Sequence, residues 1–509
     1  MPCKVFDIKI HAGYNEDELL SLLGKMAGSE NFTYHIISKS LDARKKQNIH
    51  WQIRAGIIEG NAENPDKPES INIAYRKRNK RVIIAGSGPA GFFAAYVLQK
   101  SGFSTIILER GSDVEKRVKD IRDFEKTGLF NPVSNYPFGE GGAGTFSDGK
   151  LTSRSKHISK ERNFILQTYI KAGAPAEIAY LAHPHIGSDN LRKIVKWLRN
   201  EYLKDGGEIV FETQISGIST EKGKVISCMA NDKEYNCDSV IFATGHSATD
   251  TYRMLIKNGV KFRTKNFAIG YRAEHRQEII NKAQWGCEDL PGVKAAEYRL
   301  ASNSAGRPVY TFCMCPGGVI VPAMAFQGTS VVNGMSYYNR NGKFANAACV
   351  AGLHPDELAG KTVTPLEALD CLEELETRFY KLQNSYAVPF CSINSFIKSK
   401  AGNDRYVANS YPLEVFPYDI SALLPANVVK AIKSGLKDFC NKIRGYDTGI
   451  LIGLESKTSS PVQVIRFDGG LCEGFENLYM AGEGSGYAGG IISSAADGIK
   501  TALAISEKM

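Results

Sequence analysis

Residues 81–110, RVIIAGSGPAGFFAAYVLQKSGFSTIILER, constrain this chain more than any other stretch. Residues 82–85 form a short, wholly apolar run, the pattern of a strand buried on both faces. Gly86, Gly88 and Gly91 follow as Gly-x-Gly-x-x-Gly, with Pro89 and Ala90 between the last two. In that spacing the first glycine permits a tight turn and the second lets a pyrophosphate approach the backbone. The third lets the next helix lie close on the strand. A second apolar run, 105–108, ends at Glu109, 23 residues after Gly86, with Arg110 beside it. A carboxylate at that place accepts hydrogen bonds from ribose hydroxyls and repels a 2′-phosphate. The pyrophosphate would rest on the free N–H groups at the helix N-terminus. The segment therefore reads as a dinucleotide site other than one for NADP, and a plain glycine-rich turn is the weaker alternative.

Two later segments bear on which dinucleotide. Residues 239–245, SVIFATG, are an apolar strand ending in Ala243, Thr244 and Gly245. Residues 477–490, NLYMAGEGSGYAGG, run into a helical pattern beginning at Ile491. With the first motif, these resemble the one-dinucleotide-fold FAD oxidoreductases, the broad group that includes geranylgeranyl reductases and aromatic hydroxylases. The resemblance implies that the Ala-Thr-Gly strand returns beside the nucleotide. It also implies that Gly482 and Glu483 meet the ribityl and pyrophosphate part of FAD. The helix after Gly489 and Gly490 would then aim its N-terminus at the flavin pyrimidine ring, where a positive helix end stabilises negative charge.

Further stretches narrow the resemblance: SLDARKK (40–46), FGEGGAGTFSDGKLT (138–152), AHPHIGSDNL (182–191), GHSATDTY (245–252), TFCMCPGG (311–318), LESKTSSPVQVIR (454–466) and GEGSGYAGGIISSAADG (482–498). Together they are similar to the bacterial family of uncharacterised FAD-dependent, or NAD(FAD)-utilising, dehydrogenases, along nearly the whole chain. That likeness implies a fold and a cofactor and leaves the substrate open. In flavoproteins of this kind the strand at 208–218 carries backbone contacts to adenine, here near Gln214 and Ile215.

The expected architecture is α/β: a Rossmann-like FAD-binding domain interrupted by a mixed-sheet substrate domain, with a small N-terminal α+β domain. Residues 1–75 read as a β-α-β-β unit and linker, with strands at 4–10, 34–41 and 49–58 and a helix at 17–26. The linker is the polar, proline-containing 61–70. Residues 76–259 carry the first part of the FAD-binding domain and 436–509 its C-terminal part. Residues 260–435 form the substrate domain, with strands expected at 267–275, 309–315, 318–325 and 330–337 and a helix at 365–382 opened by a proline.

A chain of 509 residues is long enough for two or three cored domains, and 43% hydrophobic with 23% charged residues is ordinary for a globular protein. The formal charge of +9 is mild at this length. The densest basic run, 76–81 (RKRNKR), reads mainly as a solvated linker, with an anion- or RNA-binding patch as the minor alternative. The 11 cysteines are scattered, without the Cys-x-x-Cys of a redox disulfide or a zinc site. Reduced thiols and an N-terminus without an apolar signal core fit a cytoplasmic protein. No run of residues is long and apolar enough for a membrane span.

The flavin would carry the redox chemistry, so catalytic side chains are few. The glycine loop at 139–149 is the candidate for contact with the flavin ring: Gly142 and Gly144 leave room and Thr145 can hydrogen-bond. His183 and His185 bracket a proline and can line a pocket or exchange protons, although a structural role competes. Lys150 and Lys457 lie in family-like motifs and can hold an anion. No metal site is expected, and Cys313 and Cys315 read as buried strand residues. Only one dinucleotide fingerprint is present, so NADH or NADPH would bind only transiently. The leading function is an FAD-dependent oxidoreductase, a dehydrogenase or reductase acting on a small organic substrate. An RNA-modifying flavoprotein and an FAD-dependent sensor or partner-binding protein are the alternatives.

Overall fold

The computed structural model describes residues 3–29, 31–59, 69–303, 306–400, 404–405 and 407–509. Most of the expected linker, residues 60–68, lies outside them. The fold is mixed α/β, with separate sheets of parallel and antiparallel strands.

The first element group is β-α-β-β. Strands Lys4–His11, His50–Glu59 and Phe32–Asp42 form an antiparallel sheet in that spatial order. Helix Glu16–Ala27 starts at a capping box between Asn15 and Glu18. It buries Leu19 and Leu23 against Ile8, Ile10, Ile53 and Ile57. The outer strand attaches this unit to the rest of the chain: Lys39 N–H donates to Tyr180 O and Ala182 N–H to Lys39 O, both at 2.9 Å.

Five parallel strands make the second sheet, in the order Leu478–Met480, Ser239–Phe242, Arg81–Ala85, Ser104–Leu108 and Glu208–Val210. Its central strands are apolar throughout because helices cover them. Helices Pro89–Lys100 and Ile491–Lys508 pack on one face. They approach so closely that a Cβ at Gly498 would lie 2.1 Å from Ala90 O. Arg78 of the basic run is fixed to this domain by bonds to Ser101 O and Ser506 and by a ring contact with Phe103. Lys80 pairs with Asp238 at 2.8 Å. The run is therefore partly a structural seam, which weakens the case for a free nucleic-acid patch.

Residues 208–218 do not form one strand as expected. Glu208–Val210 closes the parallel sheet, while Ile215–Glu221 opens a separate antiparallel sheet with Lys224–Ala230 and Lys233–Asn236. The break falls where Glu212 takes φ 53°, which redirects the chain. Thr213 N–H then donates to Glu109 O at 2.8 Å, bringing Gln214 beside the end of the second parallel strand.

The large mixed sheet runs Ala301–Ser302, Val309–Pro322, Phe344–Leu353, Phe267–Arg276, Ile450–Glu455, Val388–Ser392 and Val415–Pro417, with Val332–Met335 beside Val309–Pro322. The strands expected at 309–315 and 318–325 are one 14-residue strand. Its register slips between Phe312 and Cys315 and again between Cys315 and Gly318. Cys313 at φ 43° and Gly317 at φ 51° absorb those slips as bulges, so Pro316-Gly317 bends the strand without ending it. The expected strand at 330–337 shortens to Val332–Met335. Helices Pro365–Tyr380 and Ala426–Lys442 pack behind the sheet. Ile450–Glu455 belongs to this sheet, the next strand, Val462–Val464, pairs antiparallel with Phe262–Thr264, and Leu478–Met480 returns to the parallel sheet. Among the described residues no helix is long and apolar enough to cross a membrane.

Candidate functional site

A cavity of about 360 Å³ lies between the carboxyl ends of the parallel strands and the bulged strand of the mixed sheet. That volume is within the range of small-molecule and cofactor sites, and its position outside the strand ends is where open α/β sheets bind ligands.

The glycines of the first motif have separate jobs. Gly86 has φ +98°, and a Cβ there would lie 2.7 Å from Ala243 O. A Cβ at Gly91 would lie 1.9 Å from Gly86 O, so this glycine sets how closely helix and turn pack. Gly88 is different: it has φ −66°, and the nearest heavy atom to an added Cβ is Gly142 Cα at 3.7 Å. Protein packing does not require a glycine there, whereas a ligand lying against the backbone does. Gly489 repeats the case, with open space around an added Cβ. Helices Pro89–Lys100 and Ile491–Lys508 both begin without a side-chain cap, at Gly88 and Gly490, and both ends line the cavity. Two uncapped positive helix ends on one cavity suit an anionic or electron-rich ligand. Thr244 Oγ1, on the same wall, is buried with no hydrogen-bond partner among the described residues.

Glu109 is held rigidly. Its carboxylate accepts from Ser87 N–H at 2.8 Å, Ser87 Oγ–H at 2.7 Å and Gly111 N–H at 2.8 Å. Arg110 stacks on Phe138 at 3.9 Å and pairs with Asp250 at 3.1 Å, and Gln214 donates to the other Asp250 oxygen at 2.8 Å. Glu109, Arg110, Gln214 and Ile215 all line the cavity.

The glycine loop is shaped by a residue that the sequence did not single out. Arg117, on helix Val114–Thr127, is wholly buried. Its guanidinium donates to five loop carbonyls, those of Asn135, Tyr136, Gly139, Glu140 and Gly142, at 2.7–3.1 Å. Burial lowers its pKa to about 10, still far above neutrality. Glu140, beside it, is pushed up to about 7 by burial, against the pull of Arg199.

Of the residues named from sequence, the cavity gathers Gly86, Gly88, Pro89, Ala90, Glu109, Arg110, Gly142, Gly144, Lys150, Gln214, Ile215, Ala243, Thr244, Gly245, Lys457, Gly482, Glu483, Gly489, Gly490 and Ile491. Gly91 and Thr145 stand behind this wall. Thr145 lines a small adjoining apolar cavity under the loop. The two histidines do not reach the cavity. His183 is exposed, while buried His185 bonds Tyr338 O at 3.0 Å through Nε2. Their segment braces the glycine loop from behind, with Leu151 N–H donating to Pro184 O and Ile186 N–H to Gly149 O. Burial lowers the His185 pKa to about 4, which keeps the ring neutral.

His246, in the stretch 245–252, joins two distant motifs: Nδ1 lies 2.9 Å from Glu483 and Nε2 lies 2.9 Å from Lys457 O. Burial raises the Glu483 carboxyl, but the bonds from His246 and Gly490 N–H outweigh it, and the net shift is downward. Lys457 pairs with Glu376 at 2.6 Å. On the opposite wall, Phe312, Cys313, Met314 and Cys315 all line the cavity because the bulge turns them into it. Cys313 is therefore exposed and not the buried strand residue expected, whereas Cys315 is buried. Behind them the buried Arg272 pairs with Glu455 at 2.9 Å and donates to Cys313 O at 2.7 Å. Only long-range pairing brings these groups together, so no local signal reveals them. Among the described residues, no three His, Cys, Asp or Glu side chains converge as a metal site.

Residues 266–458 match a family model described as "FAD-dependent protein, C-terminal domain-like". An uncharacterised protein of Clostridium beijerinckii is 40% identical over 494 residues, covering 93% of this chain and 92% of that one. A digeranylgeranylglycerophospholipid reductase of Haloferax volcanii is 31% identical over 171 residues, 33% of this chain and 36% of its own. Among solved structures, CtdE in complex with FAD covers 85% of each chain at 12% identity with a TM-score of 0.34. A geranylgeranyl bacteriochlorophyll reductase-like protein of Thermoplasma acidophilum covers 84% of this chain and 78% of its own at 13% identity and 0.36. The chain belongs to the same family as the Clostridium protein.

Proposed function

We propose that this protein is an FAD-dependent oxidoreductase acting on a small organic substrate, with FAD lying along the cavity. One observation carries the reading: Gly88 and Gly489 are glycines that the protein's own packing does not need, and both stand at uncapped helix N-termini on one cavity. The family match supports the cofactor. Residues 76–259 and 436–509 would hold it, with Ile450–Glu455 counted with the 260–435 substrate region whose sheet it joins.

FAD supplies hydride or electron transfer when bound. The chain's own residues hold and orient. Glu109, locked by Ser87 and Gly111, presents its remaining acceptor capacity to ribose hydroxyls. The backbone at Gly88 to Ala90 and the start of its helix take the pyrophosphate. The N-terminus of Ile491–Lys508 would stabilise negative charge on the flavin, and Gly142 and Gly144 would leave space for its ring. His246 keeps Glu483 ionised and in place. The Phe312–Cys315 bulge would form the wall on the substrate side.

The test is the visible absorbance of the purified protein, followed anaerobically as NADH or NADPH is added. Oxidised-flavin bands that bleach would establish a nicotinamide-driven reductase. Bands that persist would assign reduction to another donor or to the substrate. Absence of flavin after reconstitution with FAD would refute the proposal.

A further inference from the structure

Each charged side chain lining the cavity can be followed to its partner. Glu109 is satisfied by Ser87 and Gly111. Arg110 pairs with Asp250, Asp148 with Arg340, Lys457 with Glu376 and Glu483 with His246. Lys150 differs. Its nearest carboxylate oxygen among the described residues is on Glu297, 4.0 Å away and beyond hydrogen-bond reach. That carboxylate is also shared with Arg340 Nη1 at 3.6 Å. Among the described residues the ammonium makes one hydrogen bond, to Met314 O, out of the three it can donate.

The placement of Lys150 is built. Its backbone forms a bridge with His185 in the braced segment behind the loop. Its bond to Met314 O holds the ammonium against the bulge that turns Phe312 to Cys315 into the cavity. Phe312, on the same bulge, is 39% exposed and lines the same cavity as Lys150. Of the carboxylates near this wall, Asp148 pairs with Arg340 and Glu455 with Arg272, each a buried arginine, and Glu297 lies between Lys150 and Arg340. The proposed pyrophosphate place lies elsewhere, at the start of helix Pro89–Lys100.

We propose that Lys150 and the Phe312–Cys315 bulge form a subsite for the carboxylate of a small organic acid, whose charged end pairs with Lys150 and whose apolar body lies against Phe312. This rests on the reading of the cavity as an FAD site, and it names the substrate class for that site. An ammonium–carboxylate hydrogen bond is charge-assisted and stronger than one between neutral groups.

The test titrates FAD-loaded protein with benzoate, and with its neutral analogue benzamide, at low ionic strength, following the visible flavin bands. Wild-type protein should show a saturable benzoate-induced shift and none with benzamide. Lys150→Met should keep its flavin bands and bind benzoate at least about tenfold more weakly, and Lys150→Arg should recover most of that loss. Four results overturn the inference: no benzoate response in wild type, an equal response to benzamide, unchanged benzoate affinity in Lys150→Met, or loss of flavin from Lys150→Met with retention in Lys150→Arg. The last would assign the lysine to the cofactor. Wild-type protein that takes up no FAD would instead refute the parent reading, an outcome visible before any benzoate is added.

Discussion

Substituting Gly88 and Gly91 separately by alanine distinguishes a glycine kept for a ligand from one kept for the fold. At Gly91 the new Cβ would sit 1.9 Å from Gly86 O, an overlap with backbone that no side-chain rotation relieves. Helix Pro89–Lys100 must then move off the turn, at a cost of about 1–3 kcal/mol or more, the range for overpacked cores. At Gly88 the nearest atom to the Cβ is 3.7 Å away, an ordinary contact, and φ −66° is comfortable for alanine. Gly88→Ala should leave the FAD-free protein as stable as wild type, or more stable by about 0.4–1 kcal/mol through a less flexible unfolded chain. With a pyrophosphate against that backbone, the same methyl group costs about 1–3 kcal/mol of binding, roughly 5- to 150-fold in Kd. Urea unfolding of FAD-free protein gives the first quantity, and FAD titration by flavin fluorescence gives the second. Gly88→Ala protein that binds FAD as tightly as wild type would refute the placement of the ligand. Equal destabilisation by both substitutions would refute the division of labour between the glycines.

Arg117→Met should leave five loop carbonyls without their donor, cost at least about 3 kcal/mol, and abolish FAD retention, measured as the ratio of flavin to protein absorbance. Arg272→Leu should strand the buried Glu455 and destabilise by about 3–5 kcal/mol, and Arg272→Leu with Glu455→Leu should recover part of that loss in urea unfolding. Glu274, 2% exposed, is raised to about 7 by burial, against bonds from Ser410, so its folded pKa lies above its unfolded one. The unfolded state therefore loses that proton first, and this group makes stability fall as pH rises from about 4.5 to 7. Glu274→Gln should match wild type near pH 4 and exceed it near pH 8, seen in urea midpoints. His185, lowered to about 4, has the opposite linkage: it costs stability as pH falls from about 6.5 to 4, so His185→Gln should resist acid better while leaving flavin content unchanged.

The parts of the molecule written in short-range pattern were legible in the sequence. The apolar runs at 82–85 and 105–108 lie in the parallel sheet because burial on both faces leaves no alternation to misread. The helix at Pro365–Tyr380 begins at a Thr364–Glu367 capping box after a locally readable proline start. Errors fell where local pattern was ambiguous. Residues 208–218 are β-like throughout, and only the positive φ at Glu212, unmarked by a glycine, divides them between two sheets. Pro316-Gly317-Gly318 looks like a turn, yet the pairing of Val309–Pro322 with Phe344–Leu353 carries the strand across it as a bulge. That bulge is what exposes Cys313 to the cavity, so the error about the strand and the error about the thiol have one cause.

The charged architecture of the site was beyond the reach of local pattern for a related reason. Arg117, Arg272 and His246 act on groups 18 to 237 residues away, and their value lies in carbonyls and carboxylates that only the closed fold brings near. The histidines at 183 and 185 were conspicuous in sequence for their spacing, but their segment is used as backbone to brace the loop carrying Lys150. A motif can thus mark the right place while naming the wrong side chain. The glycines show the converse. Gly86, Gly88 and Gly91 are equal letters in one motif, and geometry alone separates two that the fold demands from one that it leaves free. Gly88 and Gly489, which have room for a side chain and no left-handed backbone to require a glycine, border one cavity.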